Sequence, residues 1–267
     1  MTKTALLLAA GLGTRLRPLT DYVPKCLAPI RGRPLLEYWL DKLAQADFDR
    51  IVVNTHYFSE LVEQYLAGSS YRGKVSLMHE QNLLGTAGTV LRHRQLFEAG
   101  PVLVAHADNL TDFDAEWLMR EHAQRPPHCA MTMMTFLADD PKSGGIVELS
   151  REHVVQAFHE KVQNPPGNLA NAAVYIFEKE IVEFIASIGG GFIDLSTQVI
   201  PHFLGKIYAV SHLGFHRDIG SMESWRQSQI DYPGERPENT AADGWRQLLD
   251  ADGARLATII RQLESAE

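Results

Sequence analysis

Cysteine is nearly absent from this chain: Cys26 and Cys129 are the whole supply. Two thiols are too few for a disulfide framework or a cysteine zinc site, so a reducing compartment and a cytoplasmic location are the expectation. Long apolar runs are missing too. The stretch from Ala5 to Ala10 covers six residues, far short of the ~20 that cross a bilayer, so no membrane association is expected. Nor is there a run of lysine or arginine. The 33 acidic residues outnumber the 25 basic ones and leave a formal charge of -8, which gives no phosphate-tracking face and argues against a nucleic-acid partner. The eleven histidines include no H-E-x-x-H or comparable ligand spacing, which argues against zinc. Internal repeats, low-complexity tracts and the hexapeptide pattern of a β-helix are also lacking.

What is present is a chain of 267 residues, 45% of them hydrophobic, enough to bury one substantial core. Its opening, MTKTALLLAAGLGTRL, has the outline of a signal peptide, but the apolar run is of strand length and leads into glycines and charged groups that a cleaved segment would waste. Short apolar runs then alternate with helix-length segments: LLLAA, a helix over Pro34 to Ala46, IVVNT, a helix over Phe58 to Leu66, a strand over Val75 to His79, a helix over Thr86 to Phe97, and VLVAHAD ending at Asp108. This is βαβα order with buried parallel strands. After Pro126 and Pro127 four strand-like runs follow one another, AMTMMTF, GIVEL, HVVQAF and AAVYIF, as in a mixed-sheet insertion or second lobe. IVEFIAS and STQVIPHFL read as helices and IYAVS as a strand. The stretch from Tyr232 to Asp243 reads as a loop. A final helix from near Gly244 carries an apolar stripe (Trp245, Leu248, Leu249, Leu256, Ile259, Ile260, Leu263) that packs on the body or on a second subunit, leaving a homodimer open.

The chemistry begins at Gly11-Leu12-Gly13-Thr14-Arg15. Glycines allow a tight turn and close approach of backbone N–H groups to an anion. Arg15 adds a planar fork of donors and Lys25 a compact charge, a pair suited to polyphosphate. Pro18, Pro24 and Pro29 stiffen the connection between them. A dinucleotide fingerprint would need a third glycine where Leu16 stands, and a P-loop would need a G-K-[ST] that the chain lacks. Beside Lys25, the Cys26 thiol would be acidified by a neighbouring positive charge, although packing is the commoner use of such a cysteine.

The whole string LLLAAGLGTRLRPLTDYVPKCLAPI, with its G-x-G-T-R-L-x-P-L-T and later P-K, resembles the signature of the sugar-1-phosphate nucleotidyltransferase family. The resemblance runs from Leu6 to about Trp225. It implies an α/β, Rossmann-like nucleotidyltransferase fold: a mixed central sheet flanked by helices, with a smaller sugar-binding β region. Residues 1–231 would form the catalytic domain, 1–125 its nucleotide half and 126–231 its sugar-phosphate half, with 232–267 a loop and amphipathic helix. Ligands of open α/β sheets sit at the carboxyl ends of the strands.

The resemblance also assigns residues. Leu8, Ala10, Gly11, Gly13, Thr14 and Arg15 would line the nucleotide. LLGTAG at Leu83 to Gly88 resembles the base-recognition turn, with Gly85, Thr86 and the nearby Gln81 as contacts; guanine is favoured, and related turns serve UTP or dTTP. HADNL and HRDIGS resemble the two stations that bring Asp108 and Asp218 to one magnesium ion, a hard cation that needs few protein oxygens. Asp108 would also face the nucleotide. Asn109, Gly145 (in the Gly144-Gly145 turn), Glu160, Lys161 and Asn171 would hold the sugar phosphate, although the common E-K-P reads E-K-V here. Implied is in-line attack of a sugar 1-phosphate, mannose or heptose in type, on the α-phosphorus of an NTP. Arg15, Lys25 and Lys161 would neutralise the phosphates. A member using UTP, dTTP or CTP, a transferase for a non-sugar phosphate or phosphonate, and an inert nucleotide-sugar-binding regulator stay open.

Overall fold

The computed structural model describes residues 2–234 together with Thr258, Arg261, Gln262 and Ser265. The apolar stripe assigned to the final helix, and most of the loop before it, lie outside the described residues. Strand β1 (Thr4–Leu8) is buried along its whole length. Its alternate side chains serve two cores: Ala5 and Leu7 join one apolar cluster, Leu6 and Leu8 the other. That division follows from the period of two in a strand, and it makes β1 the centre of a sheet covered on both faces.

Along the chain follow β2 (Pro29–Ile30), β3 (Arg33–Pro34), α1 (Leu35–Gln45), β4 (Arg50–Thr55), α2 (Ser59–Ala67), β5 (Val75–His79), α3 (Thr86–Arg92), β6 (Val102–His106), β7 (Asn109–Thr111) and α4 (Ala115–Ala123). Then come β8 (Met131–Leu137), β9 (Gly145–Leu149), β10 (Val155–Glu160), β11 (Leu169–Phe177), α5 (Lys179–Ile188), β12 (Ile207–Ser211), β13 (His216–Asp218) and α6 (Met222–Asp231). One mixed sheet of nine strands runs β10-β9-β11-β6-β1-β4-β5, with β8 beside β11 and β12 beside β8. Strands β6, β1, β4 and β5 are parallel, whereas β11 runs antiparallel to β6, β8 and β9. The expected insertion therefore continues the first sheet instead of forming a second one. Helices α1, α2, α4 and α6 cover one face, and α3 and α5 the other.

Two helix expectations change. Thr86 to Phe97 splits into α3 and a 3-10 turn over Arg94–Glu98. STQVIPHFL becomes a π-turn over Leu195–Val199 followed by a 3-10 turn over Ile200–Phe203, since Pro201 has no N–H to continue an α-ladder. Among the described residues, no helix is long and apolar enough to cross a membrane.

Below α1 lies a polar network. The Arg33 guanidinium donates to Glu37 at 3.0 Å and also bonds Asp41, Tyr65 donates to Glu37 at 3.1 Å, and Tyr71 bonds Asp41. On the same helical side of the sheet, His122 of α4 is buried with Nδ1 2.7 Å from Thr132 Oγ1 and Nε2 3.2 Å from Glu178. Burial, assisted by Arg125 and opposed by Glu178, holds its pKa down to about 4. Below pH 6.5 the unfolded chain takes up a proton that the folded chain refuses, so stability falls with acid until the folded value is reached. From pH 7.5 to 5.0 this residue should remove about 2 kcal/mol of unfolding free energy. Unfolding free energies from denaturant melts at the two pH values should differ less in His122→Gln by that amount; an equal acid loss in the variant would refute the assignment.

Candidate active site

The carboxyl ends of β1, β4 and β6 open onto one edge, where the chain reverses its order across the sheet, and the loops leaving them build a single site. After β1, Gly13 adopts φ 62°. A Cβ there would lie 2.8 Å from Thr20 Cγ2 and 3.2 Å from Lys25 Cβ, so glycine lets the Lys25 segment pack directly beneath the loop. The Thr20 hydroxyl closes the same turn by donating to the Gly13 carbonyl at 2.8 Å.

Lys25 is buried, with Nζ 2.7 Å from Asp108 Oδ2 and 3.2 Å from Asp218 Oδ1. These carboxylates, far apart in sequence, meet because β13 pairs antiparallel with β7, which sets Asp218 opposite Asn109. The Ile219 N–H donates to the Asp108 carbonyl at 3.1 Å and closes the junction. Burial works to lower the Lys25 pKa, yet Asp108 and Asp218 together raise it above the ordinary lysine value. Burial likewise pushes the Asp108 carboxyl up, but Lys25, helped by His106, leaves it below the usual carboxylate range. The ion pair is thus locked in its charged form. Burial and the nearby His212 also push His216 down to about 3, so it stands neutral behind the site.

Arg15 is exposed on the loop above. Among the described residues it makes no hydrogen bond or ion pair, and a Cβ on Gly220 would lie 3.1 Å from its Nη2. Its fork is therefore available beside the Asp218 turn. No group of three histidine, cysteine or carboxylate side chains gathers as a metal cage among the described residues. The two carboxylates that converge on the Lys25 ammonium are hard oxygen donors. They fit magnesium, which is held by one or two carboxylates and completes its shell with water and phosphate.

A cleft of about 220 Å³ opens beside these groups, lined by Leu8, Ala10, Gly11, Gly85, Thr86 and Asp108 from the expected set. It also contains Asn54, Glu80, Thr89, His106 and Asp194, which sequence reasoning did not select. Asn54 lies next to the end of β4 and is buried; its Oδ1 accepts from the Ala9 N–H at 2.7 Å, and its Nδ2 donates to Glu80 Oε1 at 3.0 Å. The Thr89 hydroxyl lies 2.6 Å from the same oxygen. Glu80 Oε2 receives only a long contact from the Leu84 N–H, 3.5 Å, among the described residues. One buried amide thus ties the start of the glycine loop to the turn before α3. The signal for it was a polar residue inside the apolar run IVVNT.

Several expected residues stand elsewhere. Gln81 is exposed and lines an adjoining pocket with His79, Glu80, Asn82, Leu84 and Arg92, Glu80 being common to this pocket and the cleft; side chains past β5 alternate, and Glu80, one residue earlier, is the buried one. Asn109 is buried, and its amide donates to the Ala172 carbonyl at 3.0 Å, so it joins β7 to β11. Asn171 braces the irregular register of β11: its Oδ1 accepts from the Ala173 N–H at 2.9 Å and its Nδ2 donates to Tyr175 at 2.7 Å. Glu160 and Gly145 face each other across the β9–β10 hairpin, where a Cβ on Gly145 would collide with the Phe158 ring. Lys161 follows as an exposed rim cation 3.4 Å from Glu160. Thr14 is exposed on the first loop. Cys26 is buried, its thiol pushed up to about 12 by that burial, with its own backbone N–H opposing and Asp108 adding to the rise. It packs and is not a thiolate.

Fold and site together define a Rossmann-like α/β protein whose strand-end edge carries a glycine loop and a lysine between two carboxylates. The chain belongs to the Nucleotidyl transferase family, whose match spans residues 4–233. It is 29% identical to mannose-1-phosphate guanylyltransferase of Mycobacterium tuberculosis, over 95% of this chain and 71% of that one. It is also 29% identical to UTP–glucose-1-phosphate uridylyltransferase of Synechocystis, over 84% of this chain and 62% of that one. HddC from Yersinia pseudotuberculosis, solved in complex with GMP-PN, shares the fold with a TM-score of 0.73 at 22% identity, covering 86% of this chain and all (100%) of that structure's chain.

Proposed function

We propose that this chain transfers a nucleotidyl group, guanylyl in preference, from an NTP to a sugar 1-phosphate of mannose or heptose type, releasing pyrophosphate. The observation that carries the reading is the Lys25–Asp108–Asp218 cluster under a glycine loop whose cleft also contains a buried carboxylate, Glu80. A phosphate oxygen of the sugar 1-phosphate bonds to the α-phosphorus while the bond from that phosphorus to the bridging oxygen of pyrophosphate breaks. The nucleophile is already ionised, so no side chain has to take a proton. Alignment and charge neutralisation remain. Arg15 and the loop amides would hold the triphosphate, Lys25 would face the reacting phosphate, and Lys161 on the hairpin rim would meet the incoming monoester. Asp108 and Asp218 would hold magnesium, which when bound supplies positive charge to phosphate oxygens.

Guanine is favoured by the chemistry of Glu80. Its Oε1 is taken by Asn54 and Thr89, and Oε2 offers an acceptor to a ligand. Guanine offers N1–H and the N2 amine side by side, whereas uracil and thymine flank their one N–H with carbonyl oxygens that the carboxylate repels. A screen crossing the four NTPs with mannose, heptose and glucose 1-phosphates and phosphocholine, read by pyrophosphate release, tests the reaction. Glu80→Gln should lower kcat/KM for GTP by ~10- to 100-fold, the range for a hydrogen bond to a charged group, and narrow the preference over UTP. An unchanged GTP to UTP ratio would remove the support for guanine.

A further inference from the structure

Phe192 is a large aromatic side chain that the structure leaves 61% exposed. Its position is not arbitrary. Its neighbour Ile193 is clamped to the turn before and within α3: the Ile193 N–H donates to the Leu84 carbonyl at 2.9 Å, and the Ile193 carbonyl accepts from Ala87 and Gly88 at 2.9 and 3.1 Å. Gly85 adopts φ 77°, and a Cβ there would sit 2.4 Å from the Ile193 carbonyl oxygen. The approach of the two segments therefore depends on that glycine. The run Gly189-Gly190-Gly191 leads into this clamp, and Phe192 lines the same cleft as Glu80. Leu83, also an exposed apolar side chain at 37%, lines it too.

We propose that Phe192 is a base-stacking residue: its ring packs on the face of the purine whose edge Glu80 reads, with Leu83 as a second apolar wall. Every nucleobase has a π-face, and base–aromatic stacking recovers the apolar area that an exposed ring leaves in water. Glu80 selects by donors and acceptors, while Phe192 supplies affinity in proportion to ring area, which favours purine over pyrimidine. This inference rests on the reading of the cleft as a nucleobase site.

The exposed position makes Phe192→Ala tolerable to the fold, and circular dichroism with a thermal melt verifies that. Calorimetry with GTP should show Phe192→Ala binding roughly tenfold or more weakly than the wild type, on the scale of alanine substitutions at stacking positions. Competition by inorganic tripolyphosphate, which has no base, should be unaltered. The KM for sugar 1-phosphate should not move. Phe192→Tyr should restore affinity. Phe192→Trp should bind like the wild type and show fluorescence quenching on addition of GDP, a signature that mere packing would not give. GTP affinity unchanged in Phe192→Ala, or weakened equally for tripolyphosphate, overturns the stacking role while leaving the cleft reading intact. A wild-type chain that binds tripolyphosphate and GTP equally well overturns both.

Discussion

Asp108→Asn should lower turnover of the best NTP and sugar phosphate by ~10²-fold or more, the scale seen when a positioned charge is removed from a reacting centre. The substitution preserves size and takes away one charge. Lys25 loses its nearer partner, at 2.7 Å, and retains Asp218 at 3.2 Å, a side chain 56% exposed. A hard cation would lose one of its two carboxylates at the same time. Single-turnover transfer measured across a magnesium titration separates the two contributions: weakened metal use shifts the titration midpoint, whereas a misplaced Lys25 lowers the plateau. Arg15→Ala should cost a similar factor with a midpoint shifted less than in Asp108→Asn, since both carboxylates remain. Wild-type turnover in either variant would sink the site assignment.

The largest stability effect belongs to a residue remote from the chemistry. Arg33→Met should destabilise the fold by about 3–5 kcal/mol, the usual consequence of removing one partner from a buried ion pair. Glu37 is 5% exposed and accepts from both Arg33 and Tyr65. Without the guanidinium its charge would be buried near Asp41 with only hydroxyl donors. Adding Glu37→Met to Arg33→Met should recover a good part of the loss, because an apolar pair carries no uncompensated charge. Denaturant melts of the single and double variants decide it. A double variant less stable than the sum of the two singles would mean that the network acts through something other than buried charge.

The sequence made the sheet-forming runs and the glycine loop with its nearby lysine legible for one reason: both depend on local pattern. Continuous apolar strands, glycines where the backbone must turn and a lysine just beyond them are neighbours in the chain. Asp108 and Asp218 were readable as motif stations, although their meeting through β7 and β13 was not. What escaped was pairing at a distance. Nothing in AAVYIF states that β11 sits between β6 and β8, and a strand between such partners needs long-range register to be placed. Gln81, selected from the sequence, is exposed, while Glu80 one residue earlier is buried and lines the cleft: a single place along an extended segment exchanges the outward face for the inward one. Asn109 and Asn171 have the donors and acceptors that a sugar needs, and the fold uses much of that capacity itself, Asn109 to join β7 to β11 and Asn171 to brace β11 internally.

The antiparallel seam between β7 and β13 also fixes an order of events. A ribosome delivers Lys25 and Asp108 early, yet Asp218 arrives only after every strand of the main sheet has been made. Until Asp218 is made, a nascent chain can offer Lys25 only one of the two carboxylates, and a fragment ending before His216 would lack the second anion altogether. Any metal-dependent step built on that pair would become available only when synthesis of the domain is nearly complete.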